Sequence, residues 1–576
     1  MLNKHFARVG HNLASKLPPS KHSFNEYLTN NRLPNSFNFE PIIPNDVSAQ
    51  IQALPLYNSY GMFSCPVKIL KGCKHIISQP LANIYNLSVI QGKHPSKLKL
   101  AKIVPVYKDD DESCASNYRP ISLLSIFNRI FEKLMYQRLR KFIITHNILI
   151  NSQYGFRSGH NTQHAILDIV NTIQSNMNSG KFTCGLFMDL KKAFDTVDHY
   201  ILLQKLDFYG IRGIVNDWFR SYLTYRKQTT SNGSYISNSE TTLYGVPQGS
   251  VLGPLLFLLY VNGIANSSKH LLFYLFADDT SIIYANKNLH NLEQIVNSEL
   301  SNVSDWLLAN KLTLNFKKSN YVLFRPRQKC LTYNPSIKAY DPAIDALSTL
   351  EKKDFVKYLG ALIDYELSWK NHINLICLKI SRTVGIVAKL RHSIPLRPLL
   401  NIYQALINPY LYYGICAWGS APKTNLNKIL LIQKRALRLI YFTDYKQHAV
   451  PFFLKSKVFP LSFIYFDCLC SIMWDVANNS APENIKRAFT RISEVHSYPT
   501  RSSLNDDFYT EHSRFEKMRS SFLRVGPKIW NSLPSDMRNL PKSTFRKKIR
   551  NKLFEILSKS DDYLEITEIM HQLKFN

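Results

Sequence analysis

The sequence predicts an α+β fold. Up to about residue 365, short apolar runs of strand length alternate with amphipathic segments of helix length, and beyond it helical periodicity dominates. A chain of 576 residues also exceeds what one ordinary core holds, so two or more compact units are expected.

Residues 1–40 are polar, Asn-rich and weakly patterned, and read as a remnant or linker. Within 41–180 short helical patterns appear, as at Ile76–Asn86 with apolar residues at 76, 77, 81 and 84. The run Ala101–Lys108 is strand-like. Residues 125–145 form an amphipathic helix, with Ile126, Phe127, Ile130, Phe131, Leu134, Leu139 and Phe142 at helical spacing, and another helix covers 161–177. In 181–365 strands are expected at 182–188, 271–277, 281–284 and 320–325, with helices at 198–209, 213–224, 250–264 and 290–309. A helix over 371–391 opens a helical unit, 366–450, and residues 451–576 follow as a basic C-terminal region. No internal repeat is present.

Composition narrows the function. There are 72 Lys and Arg against 41 Asp and Glu, a net charge of +31. Such a surface favours polyanions, since each phosphate neutralised releases counterions. Nucleic acid is one candidate and an anionic membrane surface the other. The longest apolar runs, 251–261 and 271–277, are too short to span a bilayer, and no signal peptide opens the chain. The expectation is an intracellular protein, in cytoplasm and nucleus, without stable membrane association. Nine Cys are scattered; Cys468 and Cys470 make a C-x-C with no second pair to complete a zinc site, and read as free thiols.

Chemistry concentrates in two places. In Phe273-Tyr-Leu-Phe-Ala-Asp-Asp-Thr-Ser-Ile-Ile-Tyr284 two apolar runs flank Asp278 and Asp279, as at a hairpin turn. Alone, a pair of turn aspartates is ordinary. A second apolar run, 182–188, also leads directly into an aspartate, Asp189. Carboxylates at adjoining strand ends can hold hard divalent cations, which prefer oxygen ligands. Two such ions about 4 Å apart can activate a hydroxyl and stabilise a leaving pyrophosphate.

These motifs resemble those of reverse transcriptases. Phe276-Ala-Asp-Asp279 resembles the family's F/Y-x-D-D box, and Asp189-Leu-Lys-Lys-Ala-Phe-Asp-Thr-Val-Asp-His199 its first metal-binding motif. Gly245-Val-Pro-Gln-Gly-Ser250 is similar to the P-Q-G-S box of non-LTR retrotransposon enzymes, jockey- and CR1-like. Trp306–Phe324 resembles the fourth palm motif, and Phe355-Val-Lys-Tyr-Leu-Gly-Ala-Leu-Ile363 the primer-gripping hairpin. Tyr403–Gly419 and Leu431–Ile440 resemble the helical thumb. Two tail segments, His496–Ser502 and Gly526–Pro534, match the same family, and the resemblance covers about 41–560.

The resemblance implies a right-hand polymerase: fingers within 41–180, a palm with interleaved fingers helices in 181–365, a helical thumb in 366–450 and the basic C-terminal region. It implies metal binding by Asp189, Asp278 and Asp279, with two Mg²⁺ ions or Mn²⁺ in their place. Phe194 becomes a steric gate against the 2′-hydroxyl, and Gln248, Gly249 and Ser250 line the template and incoming base. Asp195 and Asp198, beyond the strand end, are given structural roles. Lys102, Lys108 and Arg119, the last in Asn117-Tyr-Arg-Pro-Ile-Ser122, become triphosphate contacts; either lysine also reads as a solvated charge. Lys318 is equally a proton donor to pyrophosphate or an exposed turn lysine, and Lys434, Arg435 and Arg438 a duplex-tracking or a solvated face.

The implied partners are an RNA template, a DNA primer or target, and dNTPs; protein partners are left unassigned. Gly263 departs from the family, which usually has Asp there. Elements of this kind also encode an upstream endonuclease, for which residues 1–40 are too short. A viral RNA polymerase is disfavoured by Ala277 and Phe194. A catalytically inactive nucleic-acid-binding remnant is the alternative reading. Between Glu511 and Ser560 there are 13 Lys or Arg and 4 acidic residues, which suggests RNA or target-DNA contacts without choosing between them.

Overall fold

A period-two run buried on both faces makes a central strand, and 182–188 is one: every residue from Phe182 to Met188 is buried. The structure, a computed structural model, describes residues 1–28, 32–56, 65–108, 111–233, 235–495, 505–510, 520–560 and 564–573, with 498, 500 and 502. In chain order the strands are β1 (Leu100–Tyr107), β2 (Tyr118–Leu123), β3 (Phe182–Met188), β4 (Arg226–Asn232), β5 (Tyr235–Ile236), β6 (Glu240–Thr242) and β7 (Leu272–Phe276). Then come β8 (Asp279–Asn286), β9 (Asn320–Phe324), β10 (Lys338–Asp341), β11 (Ala346–Thr349), β12 (Glu351–Lys352), β13 (Phe355–Tyr358) and β14 (Ala361–Asp364).

Two five-stranded sheets position the site. The palm sheet runs β12-β9-β3-β8-β7, with β3 antiparallel to both β8 and β9. On one face Cys184, Leu186 and Met188 join the core under helices Ile126–Thr145, His199–Phe208, Leu252–Val261 and Leu289–Ala309. On the other, Phe187, Ile283 and Val322 join a core with helices Thr162–Asn178 and Lys370–Leu390. The fingers sheet runs β2-β1-β4-β5, with β6 also on β4. Strands β4 to β6 and β10 to β12 were not anticipated. Their Ser, Thr, Asn and Lys content gives no apolar alternation, although β4 is largely buried once paired.

The segment 1–40, expected as a remnant or linker, instead carries a docked helix, Leu2–Ala14. Phe6 and Ala7 are buried, Phe6 against Ala101, Ile103 and Leu124 of the fingers. Asn3 Nδ2 donates to the carbonyls of Gln228 (3.1 Å) and Asn238 (2.7 Å). A buried amide is tolerated only when so paired.

The core that starts at Ile166 continues through Ile376 and Leu437 to Leu469, Trp530 and Leu557, so the helical unit and the C-terminal region share one interior. Among the described residues no single helix is long and apolar enough to cross a membrane. The bent pair Val450–Ser456 and Leu461–Ala477 has the composition, but the second helix is packed in that interior. All nine cysteines are free thiols. Of the tail motif His496–Ser502, positions 496, 497, 499 and 501 lie outside the described residues.

Candidate active site

β7 and β8 form a hairpin joined by Ala277 and Asp278, with Phe276 paired to Asp279. Ala277 takes a left-handed backbone, φ +56°, as tight two-residue hairpins require. β3 ends at Met188, whose partner across the sheet is Thr280. Asp189, the next residue, therefore leaves its strand end beside Asp278 and Asp279. Their fields overlap. Desolvation, then repulsion from Asp189, raises the Asp278 carboxyl, while Arg119 and Lys108 oppose the shift. Desolvation, then repulsion from Asp278 and Asp189, pushes Asp279 up to about 6. The Asp279 residue still meets solvent, and a bound cation would cancel the repulsive part of its shift.

Other segments hold these carboxylates. Asn315 Nδ2 donates to Asp189 Oδ2 at 2.8 Å, and the Asp189 N–H donates to Ser319 Oγ at 3.1 Å. The Trp306–Phe324 segment thus aims Asp189. The hairpin has its own brace. Gln153, 1% exposed, accepts with one amide oxygen from the N–H groups of Gly155 (2.8 Å) and Ala277 (3.1 Å). Tyr154 N–H donates to the Leu275 carbonyl, and Leu275 N–H to that of Ser152. A Cβ on Gly155 would stand 2.5 Å from the Ala277 nitrogen, so only glycine fits. Sequence reading missed Gln153 and Gly155. The one available signal was a Gln-x-Gly between helical patterns.

Around the carboxylates the fingers supply cations. Arg119 and Lys102 share one face of the β1–β2 pair, where Val106 opposes Arg119 and Leu123 opposes Lys102. Arg119 and Lys108 reach Asp278 electrostatically; Lys102 lies nearer the base of the pair. Lys318 is exposed on the turn that carries Asn315 and Ser319. Desolvation lowers the Lys192 ammonium, with Arg119 and Lys318 adding to the effect, so these three cations adjoin. Tyr358 of the β13–β14 hairpin lies within the field of Asp279. In the helical unit Arg435 is exposed, and Arg438 Nε donates to the Gln447 carbonyl at 2.7 Å.

Phe194 stacks on Phe257 with centroids 4.5 Å apart. Gln248 Nε2 donates to Asp195 Oδ1 at 2.8 Å, so its amide is tied to the strand-end loop. Burial pushes the Asp195 carboxyl up to about 6. Gly249 (φ +116°) permits a close approach, but its neighbour is fingers backbone: a Cβ would stand 2.7 Å from the Ser122 carbonyl. Ser122 N–H donates to the Gln248 carbonyl at 2.7 Å. Ser250 Oγ accepts from Gly253 N–H, capping the helix that begins at Leu252. Buried Glu132 steadies the same junction, accepting from Val251 N–H and the Tyr222 hydroxyl, each at 2.7 Å. Asp198 caps the helix His199–Phe208 and pairs with Lys311 at 2.6 Å, a structural role.

The carboxylates at adjoining strand ends are thus faced by a cationic two-stranded arm. The family model described as "Reverse transcriptase (RNA-dependent DNA polymerase)" matches residues 106–363 of this chain. The chain is 28% identical over 429 residues to "Probable RNA-directed DNA polymerase from transposon BS" of Drosophila melanogaster, covering 70% of this chain and 45% of that protein. It is 28% identical over 410 residues to "RNA-directed DNA polymerase from mobile element jockey" of the same species, covering 69% and 43%. The chain thus spans less than half the length of these relatives. A solved telomerase from Candida albicans is 12% identical with a TM-score of 0.35, covering 62% of this chain and 66% of that one, too faint a likeness to inform the site.

Proposed function

We propose that this chain is an RNA-directed DNA polymerase of a non-LTR retrotransposon, extending a DNA 3′-hydroxyl on an RNA template with dNTPs. The observation that carries it is the register of β3 on β8, with Met188 opposite Thr280, which sets Asp189 beside Asp278 and Asp279.

Reverse transcriptases act with divalent metal ions, and the residues fit a pair of Mg²⁺ or Mn²⁺ ions. Burial and repulsion from Asp189 raise the Asp278 carboxyl, and burial with repulsion from Asp278 and Asp189 raises that of Asp279, so negative charge gathers at one spot. Among the described residues no group of three or more His, Cys, Asp or Glu is gathered closely enough to hold a metal ion by itself. Mg²⁺ accepts that, because it takes one or two carboxylates and completes its shell with water and substrate phosphate. When bound, such ions supply Lewis-acid activation of a hydroxyl and charge neutralisation at the departing phosphate. In this reading Asp189, Asp278 and Asp279 hold the metals. Arg119 and Lys108, with Lys102 on the same arm, bind triphosphate oxygens; a guanidinium does so bidentately. The Phe194 ring, held by Phe257, occupies the space a 2′-hydroxyl would need. Gln248 and Gly249 set the floor under the template base through Asp195 and Ser122. Lys318 is the nearby ammonium for a proton to pyrophosphate. A genomic DNA primer would place the reaction in the nucleus, after synthesis of the protein in the cytoplasm.

The test is primer extension by purified chain on RNA with dNTPs and Mg²⁺. Asp279→Ala should abolish extension and leave RNA binding near wild type. Equal extension by both proteins would overturn the reading, and RNA binding without extension by the wild type would leave the inactive remnant in its place.

A further inference from the structure

Lys457 ends the helix Val450–Ser456 in a left-handed conformation. Together with one face of the helix Lys542–Lys559 it lines a concavity of about 540 Å³, within the roughly 300–1,000 Å³ of ligand clefts. That face carries Arg546, Lys547 and Arg550, so four cations surround the groove and no carboxylate is among its lining side chains. Residues three or four apart on a helix share a face, about one 5.4 Å turn apart. Neighbouring phosphates of an extended strand are separated on a similar scale.

The groove is also fixed in shape. The Arg550 guanidinium lies 5.4 Å from the centre of the Phe459 ring, and Phe554 stacks on the same ring at 4.3 Å. Arg550 Nε stands 3.8 Å from Asp467, a carboxylate only 2% exposed beneath the helix. That buried charge lies in the field of Arg550 and Arg546, and one carboxylate leaves most of the positive charge of the groove uncompensated. Lys457 and Lys547 form no ion pair among the described residues, and both are exposed. Like charges gathered in one concavity repel, and an anion relieves them. The remaining lining groups are Ser543, Asn551 and the half-buried Phe554. A hydroxyl and an amide beside the cations can both donate and accept, as a ribose 2′-hydroxyl does, and an aromatic edge suits a base.

We propose that this groove is a second nucleic-acid site, outside the reverse transcriptase segment, that holds the phosphodiester backbone of single-stranded RNA. It goes beyond the polymerase reading and survives that reading's failure, because it needs no metal and no carboxylate. An acidic peptide would satisfy the cations but has no 2′-hydroxyl for Ser543 and Asn551.

The test uses the full chain and a labelled oligouridine RNA, titrated across salt concentrations. The triple variant Lys457→Ala, Arg546→Ala, Lys547→Ala removes exposed side chains. The slope of log affinity against log salt should fall by about 2, since each single-strand phosphate contact contributes roughly 0.7. Photoactivatable thiouridine in the RNA should cross-link to helix Lys542–Lys559 in the wild type and lose that adduct in the variant. Extension of a short primer–template should be unchanged. Should the triple variant melt early, Lys547→Glu alone should lower affinity and the same cross-link. An unchanged slope together with an unchanged cross-link overturns the proposal. Equal loss for DNA of the same length overturns the assignment to RNA, and displacement of the RNA by polyglutamate at equal charge overturns the assignment to nucleic acid.

Discussion

Replacing Gln153 by methionine isolates what the hairpin brace contributes. The two side chains have similar volume, so packing is nearly conserved, but the oxygen that accepts from Gly155 and Ala277 is lost. Each buried N–H left without a partner costs about 1–3 kcal/mol. Two give about 2–6 kcal/mol, and local relaxation brings the expectation to about 3 kcal/mol. The turn has little margin to absorb this, because Ala277 already sits in the left-handed region, at about 1–2 kcal/mol. A shift of about 1 Å in Asp278 and Asp279 should cost on the order of a hundredfold in rate. Urea unfolding and single-turnover dNTP addition measure the two effects. Ala277→Gly in the same background should recover about 1 kcal/mol. An unchanged unfolding midpoint with an unchanged rate would refute the brace.

Three further outcomes are expected. Phe194→Ala should raise ribonucleotide use relative to deoxynucleotides in direct competition; an unchanged ratio argues against a steric gate. Gly263→Asp should stabilise the fold by about 1 kcal/mol in urea. A Cβ there would stand 3.8 Å from Trp306 Nε1, a buried donor that has no hydrogen-bond partner among the described residues, although the Tyr27 carbonyl at 3.1 Å must yield slightly; net destabilisation refutes it. Lys205 is fully buried, donates to the Tyr260 carbonyl and to Asn310 Oδ1, and is pushed by desolvation from 10.5 down to about 7. Between those pH values the unfolded chain binds the extra proton, so stability should rise as pH rises through that window. Lys205→Met should flatten the rise, and an identical pH profile would show that Lys205 does not cause it.

The carboxylate site was legible because its parts are local: an apolar strand that runs into an aspartate reads the same in sequence and in the sheet. Strand β3 matches its expected range, and the helices at 199–208, 213–223, 289–309 and 370–390 fall within two residues of theirs. What escaped reading is defined by distant partners. The helix Leu2–Ala14 buries Asn3, Phe6, Ala7 and Gly10, a mixed face whose partners lie on fingers strands far along the chain, Ala101 and Ile103 for Phe6 and Gln228 for Asn3. Gln153 looks like any loop glutamine until Ala277 is beside it. Gly249 is expected to line the template and incoming base, but its close approach to the Ser122 backbone of the fingers is visible only in the fold. Glu132 interrupts an apolar helix for a reason visible only at Val251.

The shared interior from Ile166 to Leu557 has a mechanical consequence. Trp530 and Phe545 pack in the same mass as Tyr358, whose hairpin adjoins Asp279. The far groove is therefore not on a tether. Any strand gripped at Arg546 and Lys547 is held at a span from the catalytic hairpin that side-chain packing fixes, as the jaws of a calliper are fixed by its frame.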